Sequence, residues 1–315
     1  MSRVLVTRKL PAGSLDALEE SGIEIIQWGE DRWMTPAELT EAAHHVDGLI
    51  CLLHDRIDRA VISAGGGRLR VVANVAVGYD NIDVDAARDA GVAVCNTPGV
   101  LDDSTADLTM LLVLAASRMA SDAERDLRAG TWAGWQIDQY LGQDVHGRTL
   151  GVVGWGRIGR RVARRAGGFD MHVVHHARRP TGDPGYMDDL DSLLRVADVV
   201  TLHVPLNNET RHLIDARRIA LMKPTAVLVN TSRGPVVDEE ALAEALHAER
   251  IFAAGLDVYE REPSVHPRLL DAPRTVLLPH IGSASVATRT AMGRLAAQSV
   301  VDVLAGRRPP TLVGG

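Results

Sequence analysis

The fold is decided by residues 150–159, which read Leu-Gly-Val-Val-Gly-Trp-Gly-Arg-Ile-Gly. A β-branched run enters a G-x-G-x-x-G turn there, and a helical pattern leaves it. In such a unit the first glycine makes the tight turn, the second lets a pyrophosphate approach the backbone, and the third lets the helix lie close to the strand. The free N–H groups of the helix N-terminus then face the anion. The pattern predicts a dinucleotide-binding turn, with an ordinary glycine turn of an α/β domain as the alternative. Its candidate contacts are Gly154, Gly156, Arg157, Ile158 and Gly159.

Strand-like and helix-like segments alternate in both directions from this turn. Toward the C-terminus, strand-like runs cover residues 150–153, 172–176, 199–203, 226–230, 253–257 and 276–278. Six such runs with helices between them match a complete dinucleotide-binding sheet. Toward the N-terminus, shorter runs repeat the rhythm at residues 4–7, 23–27, 48–53, 70–73 and 92–96. We therefore predict an α/β fold with two doubly wound, Rossmann-like parallel-sheet domains.

The domain boundaries follow from turn chemistry and from the last helical pattern. The sequence Asn-Thr-Pro-Gly at residues 96–99 is typical of a turn and marks a hinge. A mostly apolar pattern at residues 102–118 predicts a long buried helix. The final helical pattern, residues 284–304, has no strand after it, so we expect it to pack on the first domain. The predicted domains are residues 1–98 plus 286–315, a flavodoxin-like domain, and residues 99–285, a Rossmann domain for NAD(P); the resemblance described below implies that the first of them binds substrate.

Composition and charge exclude several classes of protein. Of the 315 residues 46% are hydrophobic and 24% are charged, which is typical of a globular protein and not of a disordered chain or a fibre. The net charge of −7 argues against nucleic-acid binding. The longest apolar run is about half of a membrane span, so we expect no membrane insertion. Because Cys51 and Cys95 are the only cysteines and the chain opens on a strand-like run, we expect a cytoplasmic protein without a disulfide framework or a four-cysteine metal site.

The end of the second strand of the larger sheet bears on the choice of cofactor. An enzyme for NAD usually has Asp or Glu about 20 residues after the glycine turn, where it binds the ribose 2′-hydroxyl. Here the strand ends in Ala177, Arg178 and Arg179, with two guanidinium groups and no carboxylate. Guanidinium groups pair well with a 2′-phosphate, which favours NADP(H) over NAD(H). The alternative is that both are solvated surface arginines of an arginine-rich chain.

Three polar residues follow three strand-like runs of the larger domain. Arg233, Glu262 and His280 each lie just beyond such a run, and open α/β sheets bind ligands at the carboxyl ends of their strands. An arginine can hold a carboxylate with two hydrogen bonds, and a histidine can move a proton near neutral pH. A glutamate behind the histidine would orient the ring and favour its protonated form. Glu260 is an alternative to Glu262, because both follow the same strand.

Six long motifs carry a resemblance to a known family. They are residues 72–83, 105–108, 154–159, 230–234, 255–263 and 279–283. On these motifs the chain resembles the D-isomer-specific 2-hydroxyacid dehydrogenases over essentially its whole length, and especially their glyoxylate/hydroxypyruvate reductase branch. Trp155 departs from the usual pattern, since it places an unusually large group at the variable second position of the glycine turn.

The resemblance implies a role for each matching residue. His280 is implied as the acid–base catalyst, Glu262 as its partner and Arg233 as the cation that orients the substrate. The residues implied to contact substrate are Val77 and Gly78 through their backbone N–H groups, Leu53, Arg233 and Trp135. The residues implied to line the cofactor site are Thr105, Pro205, Thr231, Asp257, His280 and Gly282, and Asp257 would hold the nicotinamide carboxamide.

The resemblance also implies a reaction and an assembly. The reaction would be the NADPH-dependent reduction of glyoxylate to glycolate and of hydroxypyruvate to D-glycerate, in the cleft between the two domains. No metal is expected, because His280 and Arg233 supply the electrophilic stabilisation. A homodimer is implied through an arm that carries Trp132 and Trp135, from which Trp135 can reach the partner's active site. The alternatives are a phosphoglycerate or D-lactate dehydrogenase of the same family, and a nicotinamide-sensing binding protein of the corepressor type.

Overall fold

The computed structural model describes residues 1–314, which form two compact units. The first unit contains Met1–Leu101 together with the segment that starts at Ser283, and the second contains Asp102–Gly282. Each unit is built around one parallel sheet, of five strands in the first and six in the second. The predicted fold class, two parallel-sheet α/β domains, is therefore confirmed.

The first unit has a doubly wound sheet with the strand order β2-β1-β3-β4-β5. Its strands are β1 Arg3–Val6, β2 Glu24–Gln27, β3 Gly48–Cys51, β4 Val71–Asn74 and β5 Ala93–Cys95. Its helices are α1 Asp16–Glu20, α2 Pro36–Ala43, α3 Arg59–Ala64, α4 Val84–Asp89 and α12 Val286–Leu304. The central strands β3 and β4 are buried along their whole length, as expected for a parallel sheet that is covered on both faces. Helix α12 packs on β3, β4 and α1.

Four helices of the first unit, α2, α3, α4 and α12, begin at polar side chains that accept from free backbone N–H groups. Thr35 starts α2 with a capping box, in which its hydroxyl and the Glu38 carboxylate each accept from the other residue's backbone. Asp58 accepts from two N–H groups at the start of α3, and Ser285 accepts from Thr288 at the start of α12. Such caps contribute roughly 0.5–2 kcal/mol each to helix stability, so they fix where the strand-end loops finish.

The second unit has a sheet with the order β11-β10-β9-β8-β6-β7. Its strands are β6 Thr149–Val153, β7 His172–His176, β8 Val199–Leu202, β9 Val227–Asn230, β10 Ala253–Leu256 and β11 Thr275–Leu277. At the edge of the sheet next to β7, Tyr186 forms a single parallel bridge to His175 and does not extend into a further strand. The strand order reverses at β6, whose neighbours are β7 and β8, and such a switch point is where open α/β sheets bind ligands.

The helices of the second unit cover both faces of this sheet. They are α5 Asp102–Ser117, α6 Ala120–Ala129, α7 Arg157–Ala166, α8 Leu190–Val196, α9 Ala216–Ile219, α10 Glu239–His247 and α11 Pro267–Leu270. Helix α5 packs on α7, whose arginines form ion pairs with its acidic side chains, among them Arg165 with Asp107 at 2.6 Å. Over residues 1–314, no helix combines the length and apolar character that crossing a membrane requires.

Candidate active site

The glycine turn joins β6 to α7 with a geometry that only small residues allow. Gly154 has a φ of +101°, and a Cβ added there would lie 2.6 Å from the carbonyl oxygen of His203 at the end of β8. A Cβ on Gly159 would lie 2.2 Å from the carbonyl oxygen of Gly154. A Cβ on Gly156, in contrast, would meet no atom of the chain within 4 Å. Protein packing thus explains two of the three glycines, and the space at the third fits a pyrophosphate against the backbone and the start of α7.

Trp155 packs between this turn and the loop that follows β7. Its indole ring stacks on His175 with ring centroids 3.7 Å apart, and its Nε1 donates to Asp183 Oδ2 at 2.6 Å. Arg160 pairs with the same carboxylate at 2.5 Å. The hydrogen bond from Trp155 and the pair with Arg160 hold the pKa of Asp183 below its ordinary value, so this carboxylate is charged. The large Trp155 side chain therefore holds the loop after β7 against the glycine turn.

The strand-end arginines lie in that same loop. Arg178 and Arg179 are exposed after β7, and Arg178 approaches Glu209 at 3.8 Å. Ala177, before them, is half-buried, and its carbonyl accepts from the Tyr186 hydroxyl at 3.5 Å. The sequence reasoning considered only the strand end and missed Asp183, which the loop brings back to the turn. Arg160 thus pairs with Asp183, whereas Arg178 faces Glu209 and Arg179 is exposed at the end of β7.

Arg233 lies in the loop after β9, directly beside the loop after β10. Its carbonyl accepts from Asn230 Nδ2 at 2.9 Å, and the buried Asn230 side chain also accepts from the Ser232 backbone at 3.0 Å. A Cβ on Gly234 would lie 1.8 Å from the carbonyl carbon of Tyr259. Only glycine allows this approach, which brings the Arg233 loop against the Tyr259–Glu262 loop.

His280 and Glu262 form a hydrogen-bonded pair at the carboxyl ends of the neighbouring strands β10 and β11. His280 Nδ1 lies 2.8 Å from Glu262 Oε2, and the two side chains are 29% and 21% exposed. Glu262 Oε1 accepts from the backbone N–H of Tyr259 at 3.1 Å, which fixes the carboxylate in the loop. Since Nδ1 faces the carboxylate, Nε2 is the ring nitrogen left to meet a substrate.

Glu260, the alternative partner, is engaged elsewhere. Its carboxylate accepts from the backbone N–H of Glu239 at 3.0 Å and lies 3.1 Å from His212 Nε2. The Glu260 backbone N–H in turn donates to Glu239 Oε1 at 2.6 Å. This reciprocal pair attaches the loop to the start of α10, and burial raises the pKa of Glu239. The structure therefore brings Glu262 to His280 and directs Glu260 away from it.

Asp257 holds the turn that follows His280. Its two carboxylate oxygens accept from the backbone N–H groups of Ile281 at 2.7 Å and Gly282 at 2.8 Å, and the side chain is 1% exposed. Burial raises the pKa of this carboxyl, although the two N–H bonds oppose the rise. The resemblance assigns Asp257 to the nicotinamide carboxamide, and the structure gives it a role within the chain as well, which is to position the turn beside His280.

Several predicted cofactor-lining residues surround this turn and the neighbouring strand ends. Thr105, on α5, lies beside Gly282, since a Cβ there would be 3.5 Å from the Thr105 hydroxyl. Thr231, after β9, shares a 2.9 Å hydrogen bond with Thr109 of α5. Pro205 follows β8, and its carbonyl accepts from Thr210 at 2.6 Å. These side chains lie along the carboxyl edge of the six-stranded sheet or on the helix next to it.

The first unit places Leu53 and the Val77–Gly78 segment in two neighbouring loops, after β3 and β4. The side-chain amide of Asn81 joins the loops by donating to the carbonyls of Leu52 at 3.1 Å and Asp55 at 3.0 Å. The buried Asp55 carboxylate accepts from Thr7 at 2.5 Å and from the backbone N–H of Leu52 at 2.8 Å. Burial raises the pKa of Asp55.

Further positioning residues that the sequence reasoning did not single out are two asparagines at strand ends, Asn74 and Asn96, and Asn81 in the loop after β4. Besides Asn81, the side chains of Asn74 and Asn96 donate to the backbone carbonyls of Gly78 and Val77, both at 2.8 Å. The signal in the sequence was an amide side chain at the end of a strand, but the carbonyl that it binds is fixed only by the fold.

The segment after α6 carries the predicted arm. Trp135 is 79% exposed, and Trp132 is 49% exposed. Other large apolar side chains of the same region are also exposed, namely Leu127, Ile137 and Leu141. Isolated exposed apolar residues are ordinary, but a group of this size is typical of an interaction surface.

The comparisons with known proteins cover almost the whole chain. The model of the family described as D-isomer specific 2-hydroxyacid dehydrogenase, NAD binding domain, matches residues 110–282. A glyoxylate reductase of Thermococcus onnurineus is 44% identical over 322 residues, which cover 99% of this chain and 95% of the relative. A solved protein of Thermus thermophilus superposes with a TM-score of 0.93 at 44% identity, over 99% of each chain. An NADPH-dependent glyoxylate/hydroxypyruvate reductase of Sinorhizobium meliloti, solved with NADP and malonate, has a TM-score of 0.87 at 33% identity, over 99% of this chain and 97% of that chain.

Proposed function

Because the chain belongs to the D-isomer-specific 2-hydroxyacid dehydrogenases and is an NAD(P)-dependent oxidoreductase, we propose that it reduces glyoxylate to glycolate and hydroxypyruvate to D-glycerate with NADPH. The resemblance predicted from the sequence is thereby confirmed. The observation that carries the proposal is the hydrogen-bonded pair of His280 and Glu262, which forms an acid–base unit at the carboxyl edge of the six-stranded sheet. The relatives named glyoxylate reductase support the substrate class.

The proposed mechanism uses two charged groups of the second unit. When bound, the reduced nicotinamide supplies the hydride that is added to C2 of the 2-oxo acid. His280, protonated, donates a proton from Nε2 to the developing alkoxide, while its Nδ1–H stays bonded to Glu262 at 2.8 Å. Arg233 orients the substrate and offsets its negative charge. A positioned proton donor contributes roughly 10²–10⁴-fold to the rate, which is the effect expected from His280.

We assign the substrate carboxylate to the backbone of the first unit. The N–H groups of Val77 and Gly78 would bind it, and Leu53 would line the pocket for the rest of the molecule. The first unit is accordingly proposed as the substrate-binding domain and the second as the cofactor-binding domain. Trp135 of a partner copy would complete the pocket.

The proposed cofactor site is built on the glycine turn. The backbone at Gly156, Arg157 and Ile158 would hold the pyrophosphate, since this position is open and lies at the start of α7. Thr105, Pro205, Thr231, Asp257 and Gly282 would line the nicotinamide side. Arg178 and Arg179 are proposed to bind the 2′-phosphate and so to favour NADPH. Their exposure supports this assignment, because a 2′-phosphate needs guanidinium groups that it can reach.

Two further properties are proposed from the surface and the thiols. The exposed arm around Trp132 and Trp135 supports a homodimer formed through this segment. Cys51 and Cys95 are both buried free thiols, which fits a reducing compartment such as the cytoplasm.

The test is a steady-state panel in which the purified protein is supplied with NADPH or NADH and a series of 2-oxo acids. We expect turnover with glyoxylate and hydroxypyruvate, and a higher kcat/KM with NADPH than with NADH. Turnover only with 3-phosphohydroxypyruvate or pyruvate would assign the chain to another activity of the family. Binding of the cofactor without turnover of any 2-oxo acid would indicate a sensor in place of an enzyme.

A further inference from the structure

We propose that Asn96 is a positioning residue for the substrate carboxylate, because its side-chain amide fixes the peptide between Val77 and Gly78 and so aims the Gly78 N–H at the substrate. The inference rests on the proposed function, in which the N–H groups of Val77 and Gly78 bind that carboxylate. It adds a residue, at the end of β5, that would determine how well the backbone site is formed.

Three consecutive carbonyls in this segment accept a hydrogen bond of the same length. The carbonyl of Ala76 accepts from the backbone N–H of Thr97 at 2.8 Å. The carbonyl of Val77 accepts from Asn96 Nδ2 at 2.8 Å, and the carbonyl of Gly78 accepts from Asn74 Nδ2 at 2.8 Å. Every peptide plane from residue 76 to residue 79 is therefore held by a donor from β4 or from the segment after β5.

Because the peptide bond is planar, these contacts also determine the direction of the N–H groups in the same segment. In a trans peptide the N–H points opposite to the C=O of the same plane. Since the carbonyls of Ala76 and Val77 face the Asn96–Thr97 segment, the N–H groups of Val77 and Gly78 point away from it. Within residues 1–314 neither N–H donates a hydrogen bond to another residue, so both are available to an external acceptor.

The donors are themselves well anchored. Asn74 is fully buried at the end of β4, and its Nδ2 also donates to Asn81 Oδ1 at 3.0 Å. Asn96 is half-buried, and its backbone N–H donates to the carbonyl of Thr311 at 3.2 Å. The backbone that carries the Asn96 amide is therefore held by the C-terminal segment at Thr311 and not by the loop that the amide orients.

An asparagine suits this position because its amide is a neutral donor. A lysine or arginine could hold the same carbonyl, but its charge would compete with the Gly78 N–H for the carboxylate. A hydrogen bond accepted by the Val77 carbonyl also polarises its peptide and strengthens the N–H on the other side, by roughly 10–30% per bond in linked hydrogen-bond chains. Asn96 thus both aims the Gly78 N–H and makes it a better donor.

The experiment measures oxamate, an unreactive 2-oxo acid analogue that keeps the carboxylate. Its inhibition constant against glyoxylate is determined at saturating NADPH for the unaltered enzyme, Asn96→Ala and the nearly isosteric Asn96→Asp. Loss of one neutral hydrogen bond predicts a roughly threefold to tenfold rise in the inhibition constant for Asn96→Ala. The rise for Asn96→Asp should be larger, because its carboxylate not only fails to donate but also repels the Val77 carbonyl and the carboxylate of oxamate. The dissociation constant of NADPH, followed by fluorescence, should stay unchanged in both variants.

A matched control separates positioning from general destabilisation. Asp58→Ala removes the N-cap of α3 in the same unit, so it should lower the melting temperature and leave the oxamate constant unchanged. Unaltered oxamate inhibition in Asn96→Asp, or an equal loss in Asp58→Ala, overturns the role of Asn96. If Asn96→Ala does not fold, Asn96→Asp carries the test by itself. If the unaltered enzyme neither reduces glyoxylate nor binds oxamate, the proposed function is refuted, and the role of Asn96 is refuted with it.

Discussion

Replacing Glu262 by glutamine tests the acid–base pair with the smallest possible change of shape. The amide keeps an oxygen that can accept from His280 Nδ1, but it carries no charge. In reduction His280 must hold a proton before it can donate one, and a carboxylate at 2.8 Å favours the protonated ring. We therefore expect Glu262→Gln to lower kcat/KM for glyoxylate and to move the alkaline fall-off of that parameter to lower pH.

The size of the effect follows from the geometry of the pair. A hydrogen bond to a charged partner contributes about 1.5–3 kcal/mol, against about 0.5–1.5 kcal/mol for a neutral one. The difference of about 1–1.5 kcal/mol corresponds to roughly a fivefold to twelvefold loss of kcat/KM on the alkaline side of the profile, where His280 must first bind the proton that it donates. Solvent screening should reduce this energy difference only in part, because the side chains of His280 and Glu262 are 29% and 21% exposed. Below the fall-off the loss should be much smaller, because the charge of Glu262 then stabilises the starting state and not only the proton transfer.

The assay is a pH profile of kcat/KM with glyoxylate at saturating NADPH. Glu260→Gln is the matched control, because it makes the same change two residues away, on a carboxylate that faces Glu239 and His212. We expect the control to keep the fall-off of the unaltered enzyme. A fall-off that stays in place in Glu262→Gln, or that moves in Glu260→Gln, refutes the assignment of the pair.

Three further perturbations test other parts of the account. Arg233→Lys should lower kcat/KM for glyoxylate at least about tenfold, because a point charge cannot reproduce the planar fork, and unchanged steady-state kinetics would move the orienting role elsewhere. Replacing both Arg178 and Arg179 by alanine should raise KM for NADPH and leave KM for NADH nearly unchanged. Added salt should reduce the preference of the unaltered enzyme for NADPH, because the contact is electrostatic. An equal kcat/KM of the unaltered enzyme with NADPH and NADH would refute the assignment of these arginines to the 2′-phosphate. Burial lowers the pKa of His203 to about 3, whereas the same side chain in the unfolded chain has a pKa of about 6.5. Between these two values the unfolded chain binds a proton at His203 and the native chain does not. The free energy of unfolding should therefore decrease as the pH falls from about 6.5 toward 3. Urea unfolding at about pH 7.5 and about pH 5.5 should show that the free energy of unfolding falls by about 1 kcal/mol less in His203→Gln than in the unaltered protein. Equal losses in both proteins would contradict the effect.

Most of the fold could be predicted because its signals are local. The glycine turn lies between a β-branched run and a helical pattern, and both periodicities can be seen within about 15 residues. The Tyr186 bridge beside β7 could not be predicted, because one residue has no periodicity and pairs only after the loop has folded back. The large side chain of Trp155 was visible as a departure from the usual pattern, but its contacts with His175 and Asp183 depend on that same loop.

The candidate site was predictable as a set of strand ends but not as a set of contacts. The residues that follow parallel strands lie at the same carboxyl edge of the sheet, so Arg233, Glu262 and His280 could be grouped from the sequence. The choice between Glu260 and Glu262 could not be made, because both lie in one irregular loop. It is decided by the start of α10, where Glu239 engages Glu260.

The central claim, that this chain transfers hydride to a 2-oxo acid with His280 as proton donor, is tested most directly by one comparison. The rate of NADPH oxidation with glyoxylate is measured for the unaltered protein and for His280→Ala, together with the dissociation constant of NADPH. The account predicts oxidation that depends on glyoxylate, a loss of roughly 10²–10⁴-fold in His280→Ala, and nearly equal NADPH binding in both. No glyoxylate-dependent oxidation by the unaltered protein, or near-normal turnover by His280→Ala, would contradict it.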